Sequence, residues 1–331
     1  MASDLIQPLL IFSGSAVFVI FGGIYLARYG DILAELTGWG RLWVGTVLVA
    51  MATSIPELVT NISAVSINAP ELAVGNIFGA NMVNMFTLAM VTLIFANRRL
   101  FSQISQGHGT LAVSAILLTF LALVLGYFPS NITIFNAGIS SLIILTAYLC
   151  AMRLVYIRRP TDASVNDISN TMQLISLRKA WVFFGLATLV VGISAFFLAY
   201  SVDRISDISG LSGSFLGVVS VALVTTMPEA TVTVAAVRAG SIDLGVGNLY
   251  GSCTFNILVL ALADPFYTVG PLLNNLDTAH LAAGVTALTL MSLVLSQILL
   301  RGQSKWAPIL PTMTLIGIIY LVGIYAVFRL S

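Results

Sequence analysis

The sequence predicts an all-α polytopic membrane protein of about ten transmembrane helices, built as two five-helix halves of opposite orientation. Three observations carry this: an apolar composition recurring in span-length runs, a repeat between the halves, and an odd number of spans in each half. Of the 331 residues, 58% are hydrophobic and 8% are charged, against roughly 25% charged in a soluble domain. Mean hydropathy is +1.02. No stretch between the apolar runs is large enough for a soluble domain.

Runs of about twenty apolar residues each have the length to cross a bilayer. They place spans at 7–27, 42–67, 71–96, 108–128, 132–156, 179–200, 213–239, 243–268, 278–300 and 307–328. Runs near 25 residues imply tilt or a break. The longest polar stretch, Arg158 to Lys179, separates spans five and six. The expected division is therefore a first half at 1–157, a cytoplasmic linker at 158–178 and a second half at 179–331. The N-terminus carries Asp4 and no basic stretch, so the first apolar run is read as a retained helix rather than a signal peptide. Cys150 and Cys253 lie inside apolar segments and indicate no disulfide framework.

Basic residues orient the chain. Twelve of the 14 Lys and Arg fall in loops after the odd-numbered spans, and Arg204 and Arg329 fall on the other side. This predicts a multi-pass protein of the plasma or cytoplasmic membrane with both termini on the non-cytoplasmic side. The Asn131-Ile132-Thr133 triplet would lie on that outer side. A net charge of +1 gives no bulk attraction to nucleic acid. The expected partners are the lipid bilayer and inorganic cations, with no obligate protein partner evident and no cofactor.

Residues 53–84 align without gaps on 225–256, at a constant offset of 172. Eleven of 32 positions are identical, among them Thr53/Thr225, Pro56/Pro228, Glu57/Glu229, Gly75/Gly247, Asn76/Asn248, Gly79/Gly251 and Asn84/Asn256. Chance similarity of two apolar segments explains shared Val, Leu and Ala. It does not explain Thr, Pro, Glu, two Gly and two Asn in one register. Five spans per half then require the second copy to enter the membrane from the opposite side. Inverted repeats with broken helices meeting near the midplane are a recurring plan of secondary transporters.

Glu57 and Glu229 are the carboxylates placed near mid-span, where charge is expensive. Thr53 and Glu57, and likewise Thr225 and Glu229, are four apart and share a helix face if helical. Pro56 and Pro228 free carbonyls of the preceding turn, which must find partners inside the membrane. Two carboxylates, carbonyls near Thr53 and Thr225, and the hydroxyls of Ser54 and Thr226 make an all-oxygen set suited to a hard cation. Ca²⁺ accepts six to eight oxygens in adaptable geometry, and two negative charges neutralise one divalent ion. Asn81 adds an amide oxygen. The Gly-x-x-x-Gly pairs Gly75/Gly79 and Gly247/Gly251 are expected to let helices pack closely. Asn76, Asn84, Asn248 and Asn256 are read as interhelical hydrogen-bonding residues. His108 and His280 fall near span ends, Asp264 is expected at an interface, and no His or Cys spacing suggests zinc.

At these residues the chain resembles the sodium/calcium exchanger branch of the calcium/cation antiporter superfamily. The carriers are Thr53-Ser54-Ile55-Pro56-Glu57 with Gly75-Asn76-Ile77-Phe78-Gly79-Ala80-Asn81, and Thr225-Thr226-Met227-Pro228-Glu229 with Gly247-Asn248-Leu249-Tyr250-Gly251-Ser252-Cys253. The resemblance implies antiport by alternating access. It implies that Glu57, Glu229, Thr53, Ser54, Thr225, Thr226 and Asn81 bind the exchanged ions, with Cys253 at the central position of the second repeat. Two residues depart from the family pattern: Ala80 stands where Ser is common, and Cys253 where Asp or Asn is common. Thiols are poor ligands for Na⁺ or Ca²⁺. Three readings follow: Ca²⁺/Na⁺ exchange, Ca²⁺/H⁺ exchange with the glutamates carrying protons, and exchange of a softer divalent such as Mn²⁺ with Cys253 as ligand. A cation channel is the remote alternative, since channels usually repeat a pore motif around an oligomer. An intramembrane enzyme lacks any His-Glu-x-x-His or Gly-x-Ser-x-Gly pattern.

Overall fold

A computed structural model describes residues 2–95, 104, 105, 107–158, 175–206, 215, 217–300 and 308–331. Among these residues the chain forms twelve helices and one short hairpin. The first half contains α1 (Ala2–Thr37), α2 (Arg41–Thr53), α3 (Ile55–Ser66), α4 (Pro70–Phe95), α5 (Gly107–Tyr127) and α6 (Ile139–Ile157). The second contains α7 (Leu177–Ser206), α8 (Gly217–Thr225), α9 (Met227–Arg238), α10 (Ile242–Ala263), α11 (Thr278–Leu299) and α12 (Ile309–Leu330). Eight helices are long and apolar enough to span a membrane alone. The bent pairs α2–α3 and α8–α9, at 41° and 46°, bring the number to ten. The protein is an all-α, multi-pass integral membrane protein.

The bends follow from the prolines. Pro56 and Pro228 occupy the first turns of α3 and α9, where a missing N–H costs nothing. The residues before the bend, Ser54 (φ −90°, ψ 9°) and Thr226 (φ −82°, ψ 1°), leave helical geometry at equivalent positions. Each first half-helix also carries a π turn, at Gly45–Val49 and Gly217–Val221. These too are 172 apart, so the structural repeat begins before the aligned sequence does.

Helices α4 and α10 form the centre of the main core, and each packs on the broken helix of the opposite repeat. The glycines set this approach. A Cβ on Gly251 would lie 2.5 Å from the carbonyl oxygen of Thr46, and one on Gly79 would run into that of Val218, the equivalent residue. The Gly-x-x-x-Gly pairs thus serve as packing surfaces. Helices α1 and α7 lie side by side across the broken helices and share a second apolar cluster with them.

Two histidines join the repeats at their ends. His108 Nε2 lies 3.0 Å from Oδ1 of Asp243 at the start of α10, and His280 Nε2 donates to the Glu71 carbonyl at the start of α4 (2.8 Å). Both pairs obey the 172 offset, and both imidazoles are fully buried.

The structure corrects two sequence expectations. The first helix reaches Thr37 rather than ending near residue 27. Span five begins at Ile139, because residues before it form an antiparallel hairpin, β1 (Thr133–Ile134) and β2 (Ala137–Gly138). Its turn places Phe135 and Asn136 at φ 50° and 62°, the left-handed pair of a tight hairpin turn. Asp264, expected at an interface, caps the end of α10 and is fully buried within the protein, accepting the Gly138 and Leu272 N–H groups at 2.6 and 2.5 Å. Residues 159–174 of the expected linker, together with Arg98, Arg99, Arg301 and Lys305, lie outside the described residues.

Candidate cation site

The two helix bends bring the sequence-predicted residues to one buried centre. Thr53, Ser54, Glu57, Thr225, Thr226, Glu229, Asn81 and Cys253 are all essentially inaccessible to solvent. Glu57 and Glu229 stand near enough for their charges to interact. The bends place both carboxyl groups at the N-terminal ends of α3 and α9, where the helix dipoles favour negative charge.

A reciprocal bond pattern locks the repeats together. The Thr53 hydroxyl donates to Asn248 Oδ1, and the Thr225 hydroxyl donates to Asn76 Oδ1, both at 3.2 Å. Asn76 Nδ2 then donates to Asn61 Oδ1 and Asn248 Nδ2 to the Thr233 hydroxyl, both at 3.3 Å. Asn248 Nδ2 also reaches the Glu229 carbonyl at 3.2 Å. These asparagines fix the broken helices against α4 and α10. Their pairing with Thr53 and Thr225 was missed by sequence reasoning, although the offset of 172 marks both residues of each pair.

The glutamates differ. Glu229 Oε1 accepts from Ser54 at 3.0 Å and from Ser252 at 3.3 Å. At the equivalent places for Glu57, Thr226 instead donates to the Ala222 carbonyl at 2.8 Å, and Ala80 has no hydroxyl. Both oxygens of Glu57 and Oε2 of Glu229 are buried without a hydrogen-bond partner. Such atoms are costly unless a proton, water or cation meets them. Ser252 is a site residue that sequence reasoning did not select. Its signal was its position after Gly251, matching Ala80 after Gly79.

Asn81 and Cys253 sit together, with Asn81 Nδ2 3.4 Å from the Cys253 carbonyl oxygen and its Oδ1 accepting from Asn256 Nδ2 at 3.0 Å. The Asn81 oxygen is thus engaged by protein. Asn84 approaches the thiol, and neither its Nδ2 nor its Oδ1 makes a well-formed hydrogen bond. Among the described residues no group of three or more His, Cys, Asp or Glu could hold a metal ion. Any hard cation here must rely on two carboxylates and on neutral oxygens.

Two broken helices related by the repeat, each with a buried glutamate in the first turn after its bend, mark a membrane transporter built on paired repeats. A family model described as sodium/calcium exchanger protein matches residues 8–156 and 179–330. The chain belongs to that family. It is 25% identical over 330 residues to the putative antiporter CaxA of Alkalimonas amylolytica, covering 93% of this chain and 98% of the relative. It is 27% identical over 288 residues to the sodium/calcium exchanger MaX1 of Methanosarcina acetivorans, covering 76% and 81%. A solved structure of the sodium-calcium exchanger NCX_Mj superposes with TM-score 0.70 at 18% identity, covering 97% of this chain and 99% of that one. At that identity the superposition speaks for the fold.

Proposed function

We propose that the protein is a secondary active antiporter, not an enzyme, that exchanges Ca²⁺ for Na⁺ by alternating access. The observation that carries this is the pair of buried glutamates, Glu57 and Glu229, each at the bend of its repeat and each with a buried carboxylate oxygen that has no hydrogen-bond partner. A divalent ion between them cancels both charges. Loading with monovalent cations would cancel the same charges in the return step, and an empty site would leave two uncompensated carboxylates in a low-dielectric interior. That penalty disfavours the empty carrier and so favours exchange over leak.

In this reading Glu57 and Glu229 bind the ion by charge. Thr53, Ser54, Thr225 and Thr226 supply hydroxyl or carbonyl oxygens. Asn81 and Cys253 line the centre, where the Cys253 thiol is a poor ligand for a hard cation. Residues 1–157 and 179–331 act as the two inverted repeats, joined through a cytoplasmic linker at 158–178, and the excess of basic residues after odd-numbered spans puts both termini outside. Cargo ions and the bilayer are the expected partners, and no cofactor is invoked.

Protons as the coupling ion are the second reading, favoured by the two Glu57 oxygens that make no well-formed hydrogen bond: such a carboxyl can take a proton in place of a metal ion. The deciding experiment is calcium-45 uptake into proteoliposomes loaded with Na⁺, with acid buffer, or with neither, for wild type and Glu57→Gln. Uptake driven by outward Na⁺ and lost in the variant supports Na⁺ coupling. Uptake driven by outward protons selects the second reading. Folded protein that moves no Ca²⁺ under any gradient sinks Ca²⁺ as cargo and turns attention to Mn²⁺.

A further inference from the structure

A cleft runs along the surface between α1 and α9. Its two adjoining parts, about 490 and 570 Å³, share Ile24, Ala235 and Ala239 as a common wall. Most of its length is apolar, and Ile20 and Ile24 are 49% and 45% exposed within it. One end is basic. Arg28 of α1 lines one part, Arg238 of α9 the other, and Ala239 and Ser241, just after Arg238, line the part that holds Arg28. Among the described residues neither arginine has a carboxylate partner: Asp31, which also lines the cleft, is bound to Arg41 at 2.5 Å. The Arg238 guanidinium lies over the Phe95 ring, 5.6 Å from its centroid. Such stacking leaves the in-plane N–H edge free for an anion.

An apolar cleft bordered by two guanidinium groups that have no carboxylate partner among the described residues matches one ligand shape: a negative headgroup carrying a long hydrocarbon tail. We propose that the cleft binds an anionic diacyl phospholipid, with its phosphate between Arg28 and Arg238 and one acyl chain against Ile24, Val234 and Ala235. Arg–phosphate pairing supplies orientation and strength. The acyl chain explains why the cleft extends well beyond the arginines, which a free phosphate would not require. Both arginines also lie on the side that carries most basic residues, the side on which anionic lipid concentrates.

The site sits on the helix that carries the second glutamate. α9 is twelve residues long, with Glu229 in its first turn and Arg238 at its last position. Ala230 and Thr231, the two residues after Glu229, line the cleft. A lipid seated there bears on the same rigid segment as the cargo ion. This inference goes beyond the exchange reading, and its binding test is independent of which ion is carried.

The test is native mass spectrometry of the full-length protein in detergent, titrated with dioleoyl phosphatidylglycerol or dioleoyl phosphatidylcholine. The proposal expects phosphatidylglycerol to bind preferentially. Its affinity should fall about fivefold for Arg28→Gln or Arg238→Gln alone and roughly thirtyfold for both. Ala235→Phe, which keeps both arginines and fills the apolar wall, should also displace the lipid. Thermal unfolding checks that each variant is folded, and if the arginine pair does not fold, Ala235→Phe alone decides. Equal retention of the two lipids would overturn the proposal, as would undiminished phosphatidylglycerol binding by a folded variant. Displacement of the lipid by equimolar glycerol 3-phosphate would overturn it too, because it would reduce the site to a headgroup anion site.

Discussion

Ser54 donates a 3.0 Å hydrogen bond to Glu229, while its repeat equivalent, Thr226, turns its hydroxyl onto the Ala222 carbonyl at 2.8 Å. The second donor to Glu229, Ser252, has Ala80 as its equivalent. Two acids at matching positions of one repeat therefore have unlike surroundings. Glu229 accepts two well-formed side-chain bonds, and Glu57, which Thr225 only approaches, accepts none.

Ser54→Ala removes the shorter of the two bonds to Glu229 and leaves Ser252 as sole donor. A charged acceptor loses about 1.5–3 kcal/mol when such a bond is deleted. The expected result is Ca²⁺ exchange with a half-saturation raised roughly tenfold or more, measured by initial rates of calcium-45 uptake. Ser252→Ala should act in the same direction and more weakly, since its bond is longer.

Ala80→Ser tests the opposite change. It adds one oxygen at the place matching Ser252, with little added volume, in a position that is fully buried. Neutral oxygens suit a monovalent cation, so apparent Na⁺ affinity should rise several-fold, by about 1 kcal/mol. The Na⁺ dependence of Ca²⁺ efflux reads this directly. An unchanged curve would mean that Glu57 does not share its cation with position 80.

Glu57→Gln should abolish exchange and yet stabilise the ion-free protein, because it removes an uncompensated buried charge. Glu229→Gln should abolish exchange with a smaller gain, since its Oε1 already has two donors. Thermal melts in chelator provide the comparison. Wild type should gain about 2.7 kcal/mol at Ca²⁺ a hundredfold above its Kd, and neither variant should respond.

Packing makes its own prediction. Gly251→Ala drives a methyl against the Thr46 carbonyl at 2.5 Å and the Ala50 Cβ at 2.8 Å, at a cost of about 1–3 kcal/mol. Gly185→Ala meets nothing within 4 Å and should leave the melting temperature unchanged or slightly higher. Equal behaviour of the two would mean that α10 does not need its close approach to α2.

Asp264→Asn replaces one of two carboxylate oxygens with an amide donor facing a backbone N–H. Losing an acceptor for Gly138 or Leu272 should destabilise by about 2–3 kcal/mol. Exchange assayed well below the melting temperature should persist, because the residue caps a loop and hairpin rather than the ion centre.

Much of this architecture was legible in the sequence, for identifiable reasons. Span-length apolar runs, Pro56/Pro228 and Glu57/Glu229 leave strong local marks, and the bends occur beside those prolines. The hairpin before Ile139 was not legible: Ile132, Thr133, Ile134 and Phe135 read as apolar helix, and the left-handed turn at Phe135-Asn136 has no glycine to announce it. The bonds of Asp264 were not legible either, because its partners are backbone groups, 126 and 8 residues away. The site was legible as a set of residues but not as a geometry. The sequence places Thr226 beside Glu229 as an equal of Ser54, and only rotamers reveal that its hydroxyl serves its own helix. His108 and His280 lie outside the aligned 32 residues, and their offset of 172 from one another ties them to the repeat.

The reciprocal bonds Thr53–Asn248 and Thr225–Asn76 have the form that a twofold axis leaves between two identical subunits: residue i of one copy meets j′ of the other, and i′ meets j. A fused chain keeps that axis while releasing its two copies from identity. In a dimer of identical subunits any change at one glutamate's neighbour would appear at both, so both acids would gain or lose a hydroxyl together. Fusion lets Ser252 and Ala80 differ. It turns a symmetric container into one with a furnished side and a bare side, and makes the difference between them something single substitutions can tune.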